Sequence, residues 1–230
     1  MGPPAATGVV MDILLAHGYF LAEDAAEQRI MRPHPPLGLL YLSSHLKARG
    51  LDIGVFDSTF QRLADFERCL HEARPQVVGI AVNLMTKRNA LRMIALARAT
   101  GARVVLGGPD PPHNADEYLA AGADVVVIGE GEQTLEALLP ILASSPDASM
   151  PDELARVPGV VFRGGRTASR SQLPHLDAQP FPDRQAIDLA RNDRRSRSPR
   201  PRRWPASGGD ASCRIPSGCT RCMCKGSRER

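Results

Sequence analysis

The chain has 230 residues, 43% hydrophobic and 23% charged, which is enough for one sizeable core and leaves no comfortable room for a second full domain. Its longest apolar stretches, such as Val104–Leu106 and Val125–Ile128, fall far short of the roughly 20 residues that cross a bilayer, and Met1 to Val10 lacks the basic start of a secretory signal; a cytoplasmic protein without a membrane segment is expected. The net charge of +4 averages two unlike parts: eleven of the 29 Lys and Arg, but three of the 25 Asp and Glu, lie from Asn192 onward, so residues 1–191 carry 18 basic and 22 acidic side chains.

In chain order, Val9 to Ala16 is a β-rich run ending at His17-Gly18, the first strand. A Pro-rich loop (Pro33, Pro35, Pro36) follows, then Leu37 to Arg49 with apolar side chains at helical spacing, basic residues at its end and Gly50 as a stop. The alternation repeats: Asp52–Asp57 strand, Leu63–Ala73 helix, Val77–Val82 strand, Lys87–Thr100 helix. It continues with Arg103–Gly108 as a strand running into a Gly turn, a short helix Ala115–Ala121, a strand Asp124–Gly129 and a helix Glu132–Leu142.

Continuous β-branched runs mark strands buried on both faces, and their alternation with helices implies right-handed crossovers. The expected fold is α/β, a flavodoxin-like, doubly wound, five-stranded parallel sheet. Ligands of such sheets sit outside the carboxyl ends of the strands. That edge selects Ala16-His17-Gly18; Asn83, Leu84, Met85 and Thr86; Gly107, Gly108, Pro109 and Asp110; and Gly129, Glu130, Gly131 and Glu132. Glycines there let backbone approach a large ligand, and Asn83, Thr86 and the amides ahead of a helix can donate to phosphate, ribose or amide groups. The simpler reading is that Gly107-Gly108 and Gly129 make tight turns, with Glu130 and Glu132 as acidic residues suited to a helix start.

A dinucleotide fingerprint is absent, because the first strand ends in Ala16-His17-Gly18 and Gly129-Glu130-Gly131-Glu132-Gln133-Thr134 lacks a third glycine. No Walker loop occurs. A phosphorelay receiver would place an acidic pair after strand one and an Asp after strand three, where this chain has His17 and Asn83.

Pro35 to Leu42, Val104-Val105-Leu106-Gly107-Gly108-Pro109, and Ala123 to Glu132 resemble, in order, the signatures of the N-terminal cobalamin-binding domain of cobalamin-dependent radical S-adenosylmethionine (radical SAM) enzymes. Val157 to Arg163 and Leu176 to Arg184 resemble the linker before the catalytic barrel of such enzymes. The resemblance implies a corrinoid across the carboxyl edge of the sheet, its nucleotide tail toward Gly107-Gly108 and its ring lined by the loops after strands three and five. The motif Asp-x-His-x-x-Gly, whose His ligates cobalt in mutase-type domains, does not occur, so no axial His from this chain is expected. His17 ends the first strand and His34 sits in the Pro-rich loop; each is open to an exposed loop role or to contact with cobalt or substrate.

After Ile187 to Arg191 the text changes to an Arg/Ser/Pro run without apolar period, which is expected to stay disordered; a basic run of this kind is usually a solvated end, and nucleic-acid binding is not expected. Radical SAM enzymes hold a [4Fe–4S] cluster on Cys-x3-Cys-x2-Cys, leaving one iron open for S-adenosylmethionine. Cys219 and Cys222 match its last part, but Ile215 stands where the first cysteine belongs, and Cys213 or Cys224 would give the wrong spacing. A shifted reading frame from about Asn192 and a genuine Cys-rich tail, including a zinc site, both fit this text. Cys69 reads as a small core residue.

The expected organisation is a cobalamin-binding domain over 1–145, a linker over 146–191 toward a missing barrel, and a disordered basic tail over 192–230. The expected function is corrinoid binding for a radical SAM methyltransferase or related enzyme, the chain alone being inactive. The alternative is a stand-alone module that binds another small ligand and uses a basic or zinc-binding tail.

Overall fold

In a computed structural model, the described residues are 11–189 apart from Ala26, Met31, Arg32, Pro146, Pro174 and His175. The tail and its cysteines Cys213, Cys219, Cys222 and Cys224 lie outside them. The elements are β1 (Ile13–His17), α1 (Glu27–Ile30), α2 (Leu37–Lys47), β2 (Ile53–Phe56), α3 (Leu63–Ala73), β3 (Val77–Ala81) and α4 (Lys87–Ala99). They continue as β4 (Arg103–Gly107), α5 (Ala115–Ala120), β5 (Val125–Val127), α6 (Glu132–Ser144), α7 (Met150–Leu154), β6 (Val160–Phe162) and β7 (Gly165–Arg166).

The sheet order is β2-β1-β3-β4-β5-β6-β7. The first five strands run parallel, with Ile13 opposite both Ile53 and Val77 and Leu106 opposite both Ile80 and Val126. The order reverses between β1 and β3, since the crossover from β1 leads to β2 on one side and that from β3 leads to β4 on the other. The expected count of five strands is corrected to seven. β6 pairs antiparallel with β5, Val126 facing Val161, and β7 pairs antiparallel with β6. Three-residue and two-residue strands carry little local pattern; lateral pairing to β5 makes them.

Because strand side chains alternate, each of β1 to β6 supplies both layers. Leu14, Ala16, Val78, Ile80, Val104 and Leu106 meet α3, α4 and α5 through Phe66, Leu70, Met93, Ile94 and Tyr118. Ile13, Leu15, Val77, Val105, Val125 and Val127 meet α2, α6 and α7 through Leu39, Leu46, Leu135, Leu138 and Leu154. Each fully buried Leu, Ile or Phe stabilises the fold by about 1.5–3 kcal/mol. Cys69 is half-buried against the first of these layers, and burial first of all pushes its thiol above the usual range.

Candidate functional site

The sheet thins toward its carboxyl edge. On the face toward α2 and α6, β3 reads Val77, Gly79, Ala81 and β4 reads Val105, Gly107, so bulky side chains give way to Gly and Ala as the strands end. The helices cannot close over that end, and a cleft of about 360 Å³ remains. Its floor is Gly79, Ala81, Gly107 and Val127, and its walls are Leu37, Leu39 and Leu42 of α2 and Leu135 of α6. Gly107 is the open point: a Cβ there would meet nothing within 4 Å, and its backbone is not left-handed. Gly108 is the reverse case, since its φ is +103° and a Cβ would lie 2.4 Å from the carbonyl oxygen of Val82. Only glycine makes this turn.

Of the residues singled out from sequence, Gly107, Gly108, Gly129, Glu130 and Gly131 come together in the cleft lining, as does His17. Asn83, Leu84, Met85, Thr86 and Pro109 share the same sheet edge but stand outside that lining. Asn83 and Thr86 close a reciprocal cap: Asn83 Oδ1 accepts from the Thr86 N–H at 3.0 Å, and Thr86 Oγ1 accepts from the Asn83 N–H at 3.0 Å. The locked turn displays Leu84 and Met85, 74% and 75% exposed. Glu130 is used structurally, its Oε2 accepting from the Leu173 N–H at 2.7 Å. His34 is exposed in the loop before α2.

His17 is held from both sides. Its Nε2 lies 3.0 Å from Asp57 Oδ1, and its Nδ1 accepts from the Tyr19 N–H at 3.3 Å. Neither ring nitrogen is free to ligate a metal in this arrangement. Burial alone would raise the Asp57 carboxyl, but hydrogen bonds from His17 and Thr59 outweigh it and bring it down to about 2. Among the described residues, no group of three or more His, Cys, Asp or Glu is placed to hold a metal ion, and no helix is long and apolar enough to cross a membrane.

Pro35 to Leu42 stands out in the sequence as a family motif but not as a ligand wall, and the floor residues Gly79 and Ala81 do not stand out as site residues. The available signal was Gly79 itself, an isolated glycine inside a Val/Ile strand, which marks close approach of another group.

The apolar slot suits a flat, largely apolar ligand moiety, with backbone at its floor and few charges in its walls. Residues 29–139 match the B12-binding domain family. The hopanoid C-3 methylase of Methylococcus capsulatus is 31% identical over 150 residues, a stretch covering 62% of this chain and 28% of that protein. The matched stretch is thus little more than a quarter of that relative's length. Fold, edge cleft and family match together identify residues 29–139 as a B12-binding domain.

Proposed function

We propose that this chain holds a corrinoid in the edge cleft for a methyl-transferring radical SAM reaction. The observation that carries the reading is Gly107, an open floor position with apolar walls on either side. The domain match supports the corrinoid; the name of the related methylase and the motif order support the reaction class. Residues 1–145 take the cofactor-holding role and 146–191 the connecting role.

Ala81 and Gly107 keep the floor clear for the cofactor's tail, Gly79 makes room for the side chains of Ile13 and Leu15, and Gly108, Gly129 and Gly131 let backbone follow the tail closely. Leu39, Leu42 and Leu135 exclude water from the slot. Leu84 and Met85 offer an apolar surface to the ring, on a turn that Asn83 and Thr86 keep rigid. His17 stays tied to Asp57 and Tyr19, so its ring would not ligate the cobalt of a bound corrinoid. A bound corrinoid supplies methyl or electron transfer at cobalt. A [4Fe–4S] cluster and S-adenosylmethionine belong to the same proposal, on a barrel; Cys213, Cys219 and Cys222 are a degenerate form of its cluster motif.

The test is a titration of the full chain with hydroxocobalamin, followed by gel filtration and absorbance, with Gly107→Trp as the blocked variant. Stoichiometric co-elution that the variant loses is expected. A folded wild-type chain that retains no corrinoid overturns the proposal.

A further inference from the structure

The segment from Leu176 to Leu189 runs back across α2 as a strap. Asp183 is its main anchor: its Oδ2 accepts from Ser43 Oγ at 2.7 Å and from Lys47 Nζ at 2.7 Å, and its own N–H donates to the Leu40 carbonyl at 3.0 Å. Four residues earlier, Gln179 Oε1 lies 2.7 Å from His45 Nδ1. The other nitrogen of that ring lies 3.2 Å from Glu136 Oε2 of α6, which also pairs with Arg49. Ser43 and His45 are 0% and 1% exposed, an uncommon degree of burial for polar side chains on an outer helix. The strap supplies the partner of Ser43 and one of the two partners of His45.

The same helix walls the cleft. Leu37, Leu39 and Leu42 line it, while Leu40, Ser43 and Lys47 hold the strap. These positions form adjoining stripes on one rod of 11 residues, so a displacement at one stripe moves the other. Asp183 reaches that rod at three points, through two side chains and a main-chain carbonyl, from 140 residues beyond Ser43 in the sequence.

We propose that Asp183 is a positioning residue for the cleft: it clamps α2 and sets the width of the slot, so that strap and corrinoid bind cooperatively. The proposal rests on the corrinoid reading for its ligand. By linkage, the strap strengthens corrinoid binding by the same factor by which the corrinoid strengthens strap closure.

The test uses the full chain as wild type, Asp183→Ala and Lys47→Ala, the last removing one anchor from a side chain 44% exposed, where the fold is least at risk. Hydroxocobalamin affinity is read by absorbance titration, and hydrogen exchange is followed in residues 37–47 and 176–189. Asp183→Ala is expected to weaken hydroxocobalamin about tenfold, as fits loss of a charge-assisted hydrogen-bond anchor, and Lys47→Ala to weaken it less. Exchange should speed up at Leu39 to Leu42 as well as in the strap, and hydroxocobalamin should slow strap exchange in the wild type. A folded Asp183→Ala chain with wild-type affinity, or with faster exchange confined to the strap, overturns the clamp. A wild-type chain that takes up no hydroxocobalamin defeats the corrinoid reading instead; the clamp then stands or falls on whether Asp183→Ala speeds exchange at Leu39 to Leu42.

Discussion

His17 at the end of β1 and Asp57 just after β2 meet at 3.0 Å across 40 residues of sequence. The parallel register explains the meeting: Ala16 lies opposite Phe56, so the next residue of each strand emerges side by side at the carboxyl edge. Asp57 Oδ1 also accepts from the Thr59 N–H at 3.0 Å, and Ser58 Oγ donates to the His17 carbonyl. One carboxylate thus fixes both the imidazole beside the cleft and the turn that follows β2.

That carboxylate should dominate part of the acid limb of stability. Its folded value of about 2 lies below the ordinary 3.8, so its contribution is fully present above about pH 4 and is lost as pH falls toward 2. The shift corresponds to about 2 kcal/mol. Asp57→Asn is expected to lower stability by about 1–2 kcal/mol at pH 7 and to flatten the decline between pH 4 and 2. Urea unfolding of both proteins at pH 7 and pH 3 checks this; parallel losses on acidification would assign the acid sensitivity to other groups.

The parallel core was legible because its signals are local. Leu63–Ala73 reads as a helix with the bounds it has, and each of the first five strands shows in its own apolar run. The β6–β7 hairpin was not, since Val160–Phe162 has Pro158 and Gly159 before it and Gly164 and Gly165 after it, a text that reads as linker. The cleft wall was hidden for a different reason. Leu37, Leu39 and Leu42 carry the same period as any buried helix face, and what turns them into a wall is the missing side chain at Gly107 and the small one at Ala81 on the facing strands. Thr86 was legible as a polar residue at the edge, but its reciprocal bond with Asn83 emerges only once the turn has closed.

Two neighbouring glycines should respond oppositely to a side chain. Gly108→Ala forces a left-handed backbone on alanine and drives its Cβ onto the Val82 carbonyl, so a loss of about 3 kcal/mol is expected. Gly107→Ala has ordinary backbone and open space, and should leave the thermal midpoint close to that of the wild type. Thermal melts of the two variants side by side make the comparison; similar midpoints would mean that the turn after β4 is built differently.

The Tyr118 hydroxyl, fully buried, donates to Asp110 Oδ2, and Asn114 Nδ2 supplies the other oxygen at 3.1 Å. Burial first, and then the Asp110 carboxylate, hold the Tyr118 hydroxyl protonated well above the usual tyrosine range. Tyr118→Phe removes a donor from a carboxylate 8% exposed and should cost about 1–3 kcal/mol in chemical denaturation. Asp110 stands two residues after Gly108, so hydroxocobalamin affinity should fall as well. A variant as stable as the wild type would mean that Asn114 alone satisfies Asp110.

Leu84 and Met85 separate a ligand role from a folding role. Both are about three-quarters exposed, so the fold gains little from their side chains, yet the cap between Asn83 and Thr86 keeps them fixed at the carboxyl edge of the sheet. Cover from a bound macrocycle would remove apolar area from water, and each side chain lost would then weaken binding. The double variant Leu84→Ser, Met85→Ser is expected to melt within about 2 °C of the wild type, as exposed substitutions do, while binding hydroxocobalamin about tenfold less tightly. Unchanged affinity in that variant would remove the loop after β3 from the corrinoid site and leave the cleft between the sheet, α2 and α6 to hold the cofactor without it.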